Sequence, residues 1–397
     1  MQTDFTPAQL ADPQMAASAA VIRKCVHCGF CTATCPTYVL LGDELDSPRG
    51  RIYLMKDMLE NERIPGPDVV KHIDRCLSCL SCMTTCPSGV NYMHLVDHAR
   101  AYIEQHYRRP WPERMLREMV AAILPYPKRF RAALKLARLA RPLAPVLART
   151  LRPAAAMLNL APARLPPKAA LNSSPQGPRG RVVLMQGCAE PVLRPETRAA
   201  SVRLLERCGY QVAFAPGEAC CGALTHHMGR EAQALESARR NVDVWSREIE
   251  AGLEAIIVTA SGCGTTVKDY GFMLRNDPAY AAKAAKVSAL ARDISEVLET
   301  SGLPARADVP ALNVAYHSAC SMQHGQNITA APQNLLRAAG FVVRQPVESH
   351  LCCGSAGTYN IFQPEIAGQL GARKAAAIAA LKPDVVATGN IGCAMQI

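Results

Sequence analysis

Apolar and polar residues alternate in a regular way in the second half of the chain. Short apolar runs rich in β-branched residues are followed by long Ala-rich stretches of helical periodicity. The apolar runs cover residues 181–188, 211–215, 255–260, 312–320, 341–347 and 384–388, and the two longest helical stretches cover residues 231–250 and 365–381. Strands that alternate with helices are typical of α/β units built on parallel sheets. We therefore expect such sheets in residues 181–397.

This half is also an internal duplication. Its first copy contains Cys188, Cys220, Cys221, Gly222 and Cys263, which recur as Cys320, Cys352, Cys353, Gly354 and Cys393. The offset is 132 residues for the first four positions and 130 for the last. We assign the first repeat to residues 181–310 and the second to residues 311–397. Only the first copy continues far beyond its last cysteine, so we expect the second repeat to be incomplete and the chain to be truncated or to end early.

Composition narrows the class of protein. With 49% hydrophobic and 19% charged residues, the chain has enough apolar surface for two or three domains and too little charge for a disordered or coiled-coil protein. The 17 cysteines cannot all pair within one chain. The amino terminus does not resemble a secretory signal, and no apolar run is long enough to span a bilayer. In a reducing cytosol, metal ligation is the leading use of so many cysteines.

Eight cysteines near the amino terminus form two copies of one motif. The first copy reads CVHCGFCTATCP over residues 25–36, and the second reads CLSCLSCMTTCP over residues 76–87. Both match C-x2-C-x2-C-x3-C-P, the pattern of ferredoxins with two [4Fe–4S] clusters, in which the fourth cysteine of each motif binds the other cluster. We therefore predict crossed ligation. The two predicted sets are Cys25, Cys28, Cys31 and Cys86 for the first cluster, and Cys76, Cys79, Cys82 and Cys35 for the second. The alternative is structural zinc, which favours separated Cys or His pairs.

The insert between the two motifs carries Arg49 and Arg51. One hypothesis is that these side chains form surface salt bridges. The other is that their positive charge stabilises the reduced state of a nearby cluster and raises its potential. His27 lies inside the first motif, and we expect it to be exposed or to contact a ligand, because four thiolates already complete the site.

At this point the chain resembles a known family. The segments RKCVHCGFCTATCPTY (23–38), LGDELD (41–46), SPRGR (47–51), TCPSGV (85–90) and TGNIGCAMQI (388–397) look like the iron–sulfur subunit of bacterial glycolate oxidase. The resemblance covers nearly the whole chain. It implies two [4Fe–4S] clusters on the eight cysteines named above. It also implies flavin-containing partner subunits that oxidise glycolate to glyoxylate, and electron transfer toward the respiratory quinone pool.

The resemblance extends to a wider group with duplicated Cys-Cys-Gly domains, which includes heterodisulfide reductases. In the heterodisulfide reductases, each repeat ends in C-x2-C and binds a non-cubane cluster through five cysteines. In the present chain, Ala260 and Asn390 occupy the place of the first cysteine of that pair. Eight cysteines remain as candidate further metal or redox residues: Cys188, Cys220, Cys221, Cys263, Cys320, Cys352, Cys353 and Cys393. Reduced structural thiols are the alternative. Cys208 is left over, and we expect it to be a small buried residue.

Five histidines lie near the Cys-Cys-Gly motifs: His226, His227, His317, His324 and His350. Each, taken singly, is typical of a hydrogen-bonded structural histidine. Together they also suggest a proton-handling role at a quinone site. The sequence does not decide between these two roles.

The net charge of +11 is concentrated in one segment. Residues 108–168 contain 14 Lys and Arg against 2 Asp and Glu, so the remainder of the chain is nearly neutral. Arg131, Lys135, Arg138, Arg149 and Arg152 share one predicted helical face, and Pro142 and Pro145 predict two short helices. Such a segment suits peripheral contact with an anionic membrane, docking on an acidic partner, or packing on its own protein. No nucleic-acid-binding signature accompanies the charge, so we exclude nucleic acid as a partner.

The predicted architecture is α+β and multidomain. A mostly helical two-cluster ferredoxin-like domain (1–107) and a basic connector (108–180) precede the duplicated α/β cysteine-rich domain. The predicted function is electron transfer within a glycolate oxidase, with no catalytic residue in this chain and a cytoplasmic location at the inner face of the plasma membrane. Alternatives are a subunit of a lactate or glycerol-3-phosphate dehydrogenase, a disulfide reductase acting at the Cys-Cys-Gly sites, and a zinc-stabilised binding module.

Overall fold

The computed structural model describes residues 1–145, 158, 162, 164–167, 177–304 and 310–397. Arg149, Arg152 and the predicted second helix of the basic segment lie outside these residues. Within the described part, no helix combines the length and the apolarity needed to cross a bilayer.

The first 145 residues are helical. Their α-helices are Pro7–Leu10, Pro13–Lys24, Pro36–Leu41, Pro48–Glu60, Pro67–Asp74, Ser81–Thr85, Tyr92–His106, Trp111–Ile123 and Pro127–Ala140, with 3-10 turns at Phe30–Thr32, Glu44–Asp46 and Arg141–Leu143. Several helices begin with a proline that follows an N-capping side chain, such as Asp12 or Ser47, because proline needs no partner for its missing N–H in the first turn. Ile22, Met55 and Leu95 are fully buried between the helices and form the centre of this core.

The first repeat contains a four-stranded parallel sheet. Strands β1 (Arg181–Leu184), β2 (Gln211–Ala213), β3 (Leu253–Val258) and β4 (Ala291–Asp293) are arranged in the order β2-β1-β3-β4. Its helices are Glu190–Leu193, Pro195–Arg207, Ala223–His227, Glu231–Glu250, Ser261–Lys268, Tyr270–Met273, Ala281–Leu290 and Ile294–Ser301. Strand β4 escaped the sequence analysis because it has only three residues and leads directly into a helix capped by Asp293.

The second repeat has a smaller parallel sheet. Strands β5 (Asn313–His317), β6 (Val342–Arg344) and β7 (Val385–Thr388) are arranged in the order β6-β5-β7. The helices are Ala331–Ala338, Tyr359–Phe362, Pro364–Ala379 and Ile391–Gln396, with a π-helical turn at Ser321–Gly325. Here β7 is the edge strand, whereas its counterpart β3 pairs with β4. The predicted fold class, helical followed by duplicated α/β units with parallel sheets, is confirmed.

Both repeats pack against the helical part, at different places. In the first repeat, Gly229 approaches the carbonyl of Arg100 so closely that a Cβ atom would overlap it, and the ring of Phe272 stacks on His94 with centroids 3.4 Å apart. In the second repeat, the Tyr359 hydroxyl donates a hydrogen bond to the carbonyl of Arg75, at 3.1 Å. The first repeat thus lies on the Tyr92–His106 helix, and the second lies next to the second cysteine motif.

Candidate metal centres

The first candidate centre is a cavity at the surface of the helical part. Cys25, Cys28, Cys31 and Cys86 all line it, although Cys86 comes from the other motif. The loop that carries the first three turns sharply at His27 and at Gly29, both of which have positive φ. Cys28 is exposed, so this cavity reaches solvent. His27 is exposed as well.

The second candidate centre is a more deeply buried cavity beside the first. Cys35, Cys76, Cys79 and Cys82 line it, and all four side chains are buried. Burial, and then the charges of neighbouring cysteines, hold the pKa of the Cys82 thiol well above its usual value. Four crowded sulfur atoms of this kind need a metal cation to be stable as thiolates. Cys82 also borders the first cavity, so the two cavities adjoin. Each predicted set of four sulfurs lines one cavity and is the donor set of a [4Fe–4S] cluster, so the residues fit that cofactor.

The two arginines of the insert have different environments. Arg49 forms a surface ion pair with Glu44, whose atoms Nε and Oε1 are 2.5 Å apart. Arg51 is 1% exposed, and its Nη1 lies 3.8 Å from Sγ of Cys35. Its Nη2 donates to Thr37 and to the fully buried carboxylate of Asp46. Arg49 fits both hypotheses, because it forms the surface pair and also lines the first cavity, whereas Arg51 fits only the cluster-facing hypothesis.

In the first repeat, the cysteines lie beyond the carboxyl ends of β1, β2 and β3. Sγ atoms of Cys188 and Cys220 are 3.5 Å apart, and both side chains are buried. The hydroxyl of Tyr270 donates to the carbonyl of Cys221 and the amide of Asn241 donates to the carbonyl of Cys220, so two polar side chains hold the backbone of the vicinal pair.

In the second repeat, the cysteines have a histidine among them. Sγ atoms of Cys320 and Cys352 are 3.7 Å apart. The ligand atoms of His317, Cys353 and Cys393 all lie within 4.8 Å of one another, and all three side chains are buried. The sequence analysis named His317 only as one of five nearby histidines. The signal that distinguishes it is its position at the end of strand β5, three residues before Cys320.

Asn390, which replaces the first cysteine of the C-x2-C pair, has other contacts. Its Oδ1 accepts a hydrogen bond from the N–H of Gly392 and so caps the last helix. Its Nδ2 donates to Ser261 and Ser321. The amide therefore joins the two repeats.

The remaining histidines do not converge on one place. His226 and His227 both approach Asp97 of the Tyr92–His106 helix. His324 lies 2.7 Å from the hydroxyl of Thr84, a residue of the second cysteine motif, and its contact with His350 is to the carbonyl oxygen only. A shared proton-handling site is therefore not formed by these five side chains. Cys208 is buried in a separate core, as expected.

The described part of the basic segment packs on the protein through one side only. Leu134 is buried against Val192, and the buried side chains of Arg109 and Arg117 pair with Asp74. The opposite side is exposed and carries large apolar side chains among its cations. These exposed apolar residues are Trp111, Met115, Met119, Tyr126, Leu136 and Leu139.

Comparisons with known proteins agree with this arrangement. Residues 24–90 match a model described as a 4Fe–4S dicluster domain, and residues 182–268 and 314–397 each match a cysteine-rich domain. The chain is 44% identical to the glycolate oxidase iron–sulfur subunit of Escherichia coli K12, over 99% of this chain and 94% of that protein. It is 31% identical to the probable glycolate oxidase iron–sulfur subunit of Bacillus subtilis 168, over 95% and 88%. Lactate utilization protein A of Bacillus licheniformis is 27% identical over 55% of this chain and 90% of its own length.

Proposed function

The chain belongs to the family of glycolate oxidase iron–sulfur subunits, and on that premise we propose how it transfers electrons. Flavin-containing subunits oxidise glycolate to glyoxylate, and this chain carries the electrons released toward the quinone pool. The observation that carries the proposal is the pair of adjoining cavities: each is lined by four predicted ligands drawn from both motifs, and Cys82 borders both cavities. [4Fe–4S] clusters bound there supply one-electron oxidation and reduction.

The residues around the two cavities have different tasks in this proposal. Cys25, Cys28, Cys31 and Cys86 hold the first cluster, and Cys35, Cys76, Cys79 and Cys82 hold the second. The first cavity opens at Cys28, where Val26 and Phe30 are 66% and 64% exposed. An exposed apolar rim beside a ligand suits contact with an electron-donating subunit. The second cavity is covered by the protein, which keeps water from it.

The exposed face of the basic segment is the proposed contact with the membrane. Trp111, Met115 and Met119 recur every four residues, so they form one stripe along the Trp111–Ile123 helix. Arg114 and Lys128 are exposed beside them. Aromatic and apolar side chains flanked by cations favour the interface of an anionic bilayer. This contact supports a location at the inner face of the plasma membrane, where a quinone is within reach.

The test uses the full chain together with the flavin-containing subunits of its own complex, purified anaerobically. Glycolate is added, and the reduced iron–sulfur signals of this chain are recorded by EPR. We expect glycolate to produce them, and we expect the chain without its partners to remain oxidised. Reduction by lactate or glycerol 3-phosphate but not by glycolate would assign the subunit to another dehydrogenase. Turnover of glycolate by the isolated chain would contradict the proposal.

A further inference from the structure

His317 has an environment that its hydrogen bonds do not explain. The side chain is 1% exposed, and neither ring nitrogen has a hydrogen-bond partner among the described residues. An imidazole that is buried without a partner loses the hydrogen bonds it makes in water, which destabilises the folded chain. One of its ring nitrogens lies within 4.8 Å of the sulfurs of Cys353 and Cys393. A metal ion between these three atoms would use the unpaired nitrogen.

The surroundings of His317 supply further donors and a balancing charge. Cys352 is adjacent to Cys353 in the chain, and its sulfur lies 3.7 Å from that of Cys320. The ammonium group of Lys374 is 3% exposed, donates to the carbonyl of Glu348, and is attracted by the charges of the cysteine thiolates. A buried ammonium needs nearby negative charge. Thiolates bound to a metal would supply that charge.

The first repeat lacks both of these side chains. The 132-residue offset relates His317 to Met185, since 317 − 132 = 185. Ala234 approaches Gly222 in the first repeat as Ala367 approaches Gly354 in the second. The two alanines are therefore equivalent, and the offset along the helix that follows each Cys-Cys-Gly motif is 133 residues.

With this second offset, Lys374 corresponds to Asn241, since 374 − 133 = 241. Asn241 uses its amide to hold the backbone of the vicinal cysteines. The imidazole and the ammonium are thus specific to the second repeat.

The second repeat also lies against the buried cysteine cavity of the helical part. Cys79 and Leu77 pack in one apolar cluster with Cys352 and Tyr359. Cys320 packs against the same cluster. A sulfur of the second repeat is therefore a near neighbour of a sulfur that we assign to the second cluster.

We propose that the second repeat holds a third metal centre, an iron–sulfur centre bound by the imidazole of His317 and by the thiolates of Cys320, Cys352, Cys353 and Cys393. Thiolates with an imidazole select zinc or iron. A closed zinc site uses four ligands, whereas five donors line this pocket. Iron also suits the position beside Cys79, because zinc does not change its oxidation state. The place of this centre in the electron path rests on the proposed function, but its existence does not.

The test is metal analysis of the full chain after anaerobic purification, combined with EPR of the dithionite-reduced protein. We expect iron and sulfide above the roughly eight atoms of two [4Fe–4S] clusters. His317→Ala and Cys353→Ser should lose the excess and its EPR signal while about eight irons remain. His317→Cys, which offers a thiolate at the same place, should restore at least part of it. Cys208→Ser and His226→Gln are the matched controls, and they should retain all of the iron.

Several outcomes would overturn the inference. These are about eight irons in the wild-type chain, zinc in place of the excess iron, or excess iron that survives Cys353→Ser. Excess iron that depends on Cys353 but not on His317 would overturn the role of the histidine. Fewer than about eight irons in the wild-type chain would instead contradict the proposed function, so the two failures are distinguishable.

Discussion

The guanidinium group of Arg51 lies against the sulfur of Cys35, with Nη1 and Sγ 3.8 Å apart, in a place that solvent does not reach. Because Asp46 accepts a hydrogen bond from the same guanidinium, the cation is held in one orientation. A fixed positive charge beside a ligand sulfur stabilises the reduced, more negative state of a bound cluster.

We expect Arg51→Gln to lower the midpoint potential of one EPR signal. The shift should be about 60 mV for each 1.4 kcal/mol of lost stabilisation, and Arg51→Lys should recover part of it. Breaking this buried ion pair should also lower the free energy of unfolding by about 3–5 kcal/mol. Arg49→Gln removes an exposed pair with Glu44, so it should leave the unfolding free energy nearly unchanged, and because Arg49 lines only the first cavity it should leave the signal that Arg51→Gln shifts unchanged. Equal potential shifts in both variants would contradict a specific effect of Arg51.

Crossed ligation predicts which serine variants behave alike. Cys28→Ser and Cys86→Ser should remove the same EPR signal, and Cys79→Ser and Cys35→Ser should remove the other, each with a loss of about four irons. Cys35 and Cys86 distinguish crossed from uncrossed ligation, because in an uncrossed arrangement each would bind the cluster of its own motif. Spectra that group Cys86 with Cys79 would show that each motif binds its own cluster.

The contact between Gly229 and Arg100 predicts a steric effect at the surface between the helical part and the first repeat. Gly229 has a φ of 81°, and a Cβ atom there would overlap the carbonyl oxygen of Arg100. Gly252 has a similar φ of 85° but open space around it. In urea titrations, Gly252→Ala should cost about 1–2 kcal/mol from backbone strain alone. Gly229→Ala should cost about 1–3 kcal/mol more, because packed backbone must move. Equal losses of unfolding free energy in the two variants would mean that the backbone at this contact moves aside without a measurable penalty.

His324 predicts that stability depends on pH. Burial lowers the pKa of this imidazole below its ordinary value of 6.5. As the pH falls below 6.5, the unfolded chain therefore binds a proton that the folded chain does not, and the free energy of unfolding decreases. One such group contributes a slope of at most about 1.4 kcal/mol per pH unit.

The check is a series of urea titrations between pH 8 and pH 5. His324→Gln should have a shallower decrease than the wild type, because this residue no longer titrates. At pH 8 both proteins carry a neutral side chain, so their difference there reports the contacts with Thr84 and with the carbonyl of His350, and not the titration. A decrease of the same slope in the variant would assign the effect to other groups.

The exposed stripe of the Trp111–Ile123 helix predicts membrane binding. We expect the chain to sediment with phosphatidylglycerol vesicles far more than with phosphatidylcholine vesicles, and salt should weaken the binding. Trp111→Ser combined with Met115→Ser should reduce the affinity at least about tenfold, which corresponds to 1.4 kcal/mol. Val347→Ser removes an exposed apolar residue elsewhere, 72% exposed, and should have no effect. If both variants still bind the vesicles, the stripe is not the membrane contact, and a protein partner becomes its expected ligand.

The sequence determined the features that depend on short stretches of chain. The two cysteine motifs are each twelve residues long with their proline, so their spacing alone predicts tight loops that present sulfur atoms. The duplication could be read from the offset between repeated cysteines, and the helix over 231–250 from its periodicity. Strand β4 was missed because three residues, Ala291–Asp293, give too short a pattern to detect.

Only the tertiary structure decided which residues from distant segments share an environment. Arg49 and Arg51 are two positions apart on one helix and have the same charge, yet Arg49 pairs with Glu44 at the edge of the first cavity, whereas Arg51 is buried against Cys35. His317 is one of ten histidines, and its place three residues before Cys320 does not by itself show which sulfur atoms it faces. Its proximity to Cys353 and Cys393 follows from long-range packing, in which β5 pairs with β7. Local spacing determines which cysteines of a loop can act as ligands together. The burial and the electrostatic environment of those cysteines depend on the distant segments that folding packs against the loop.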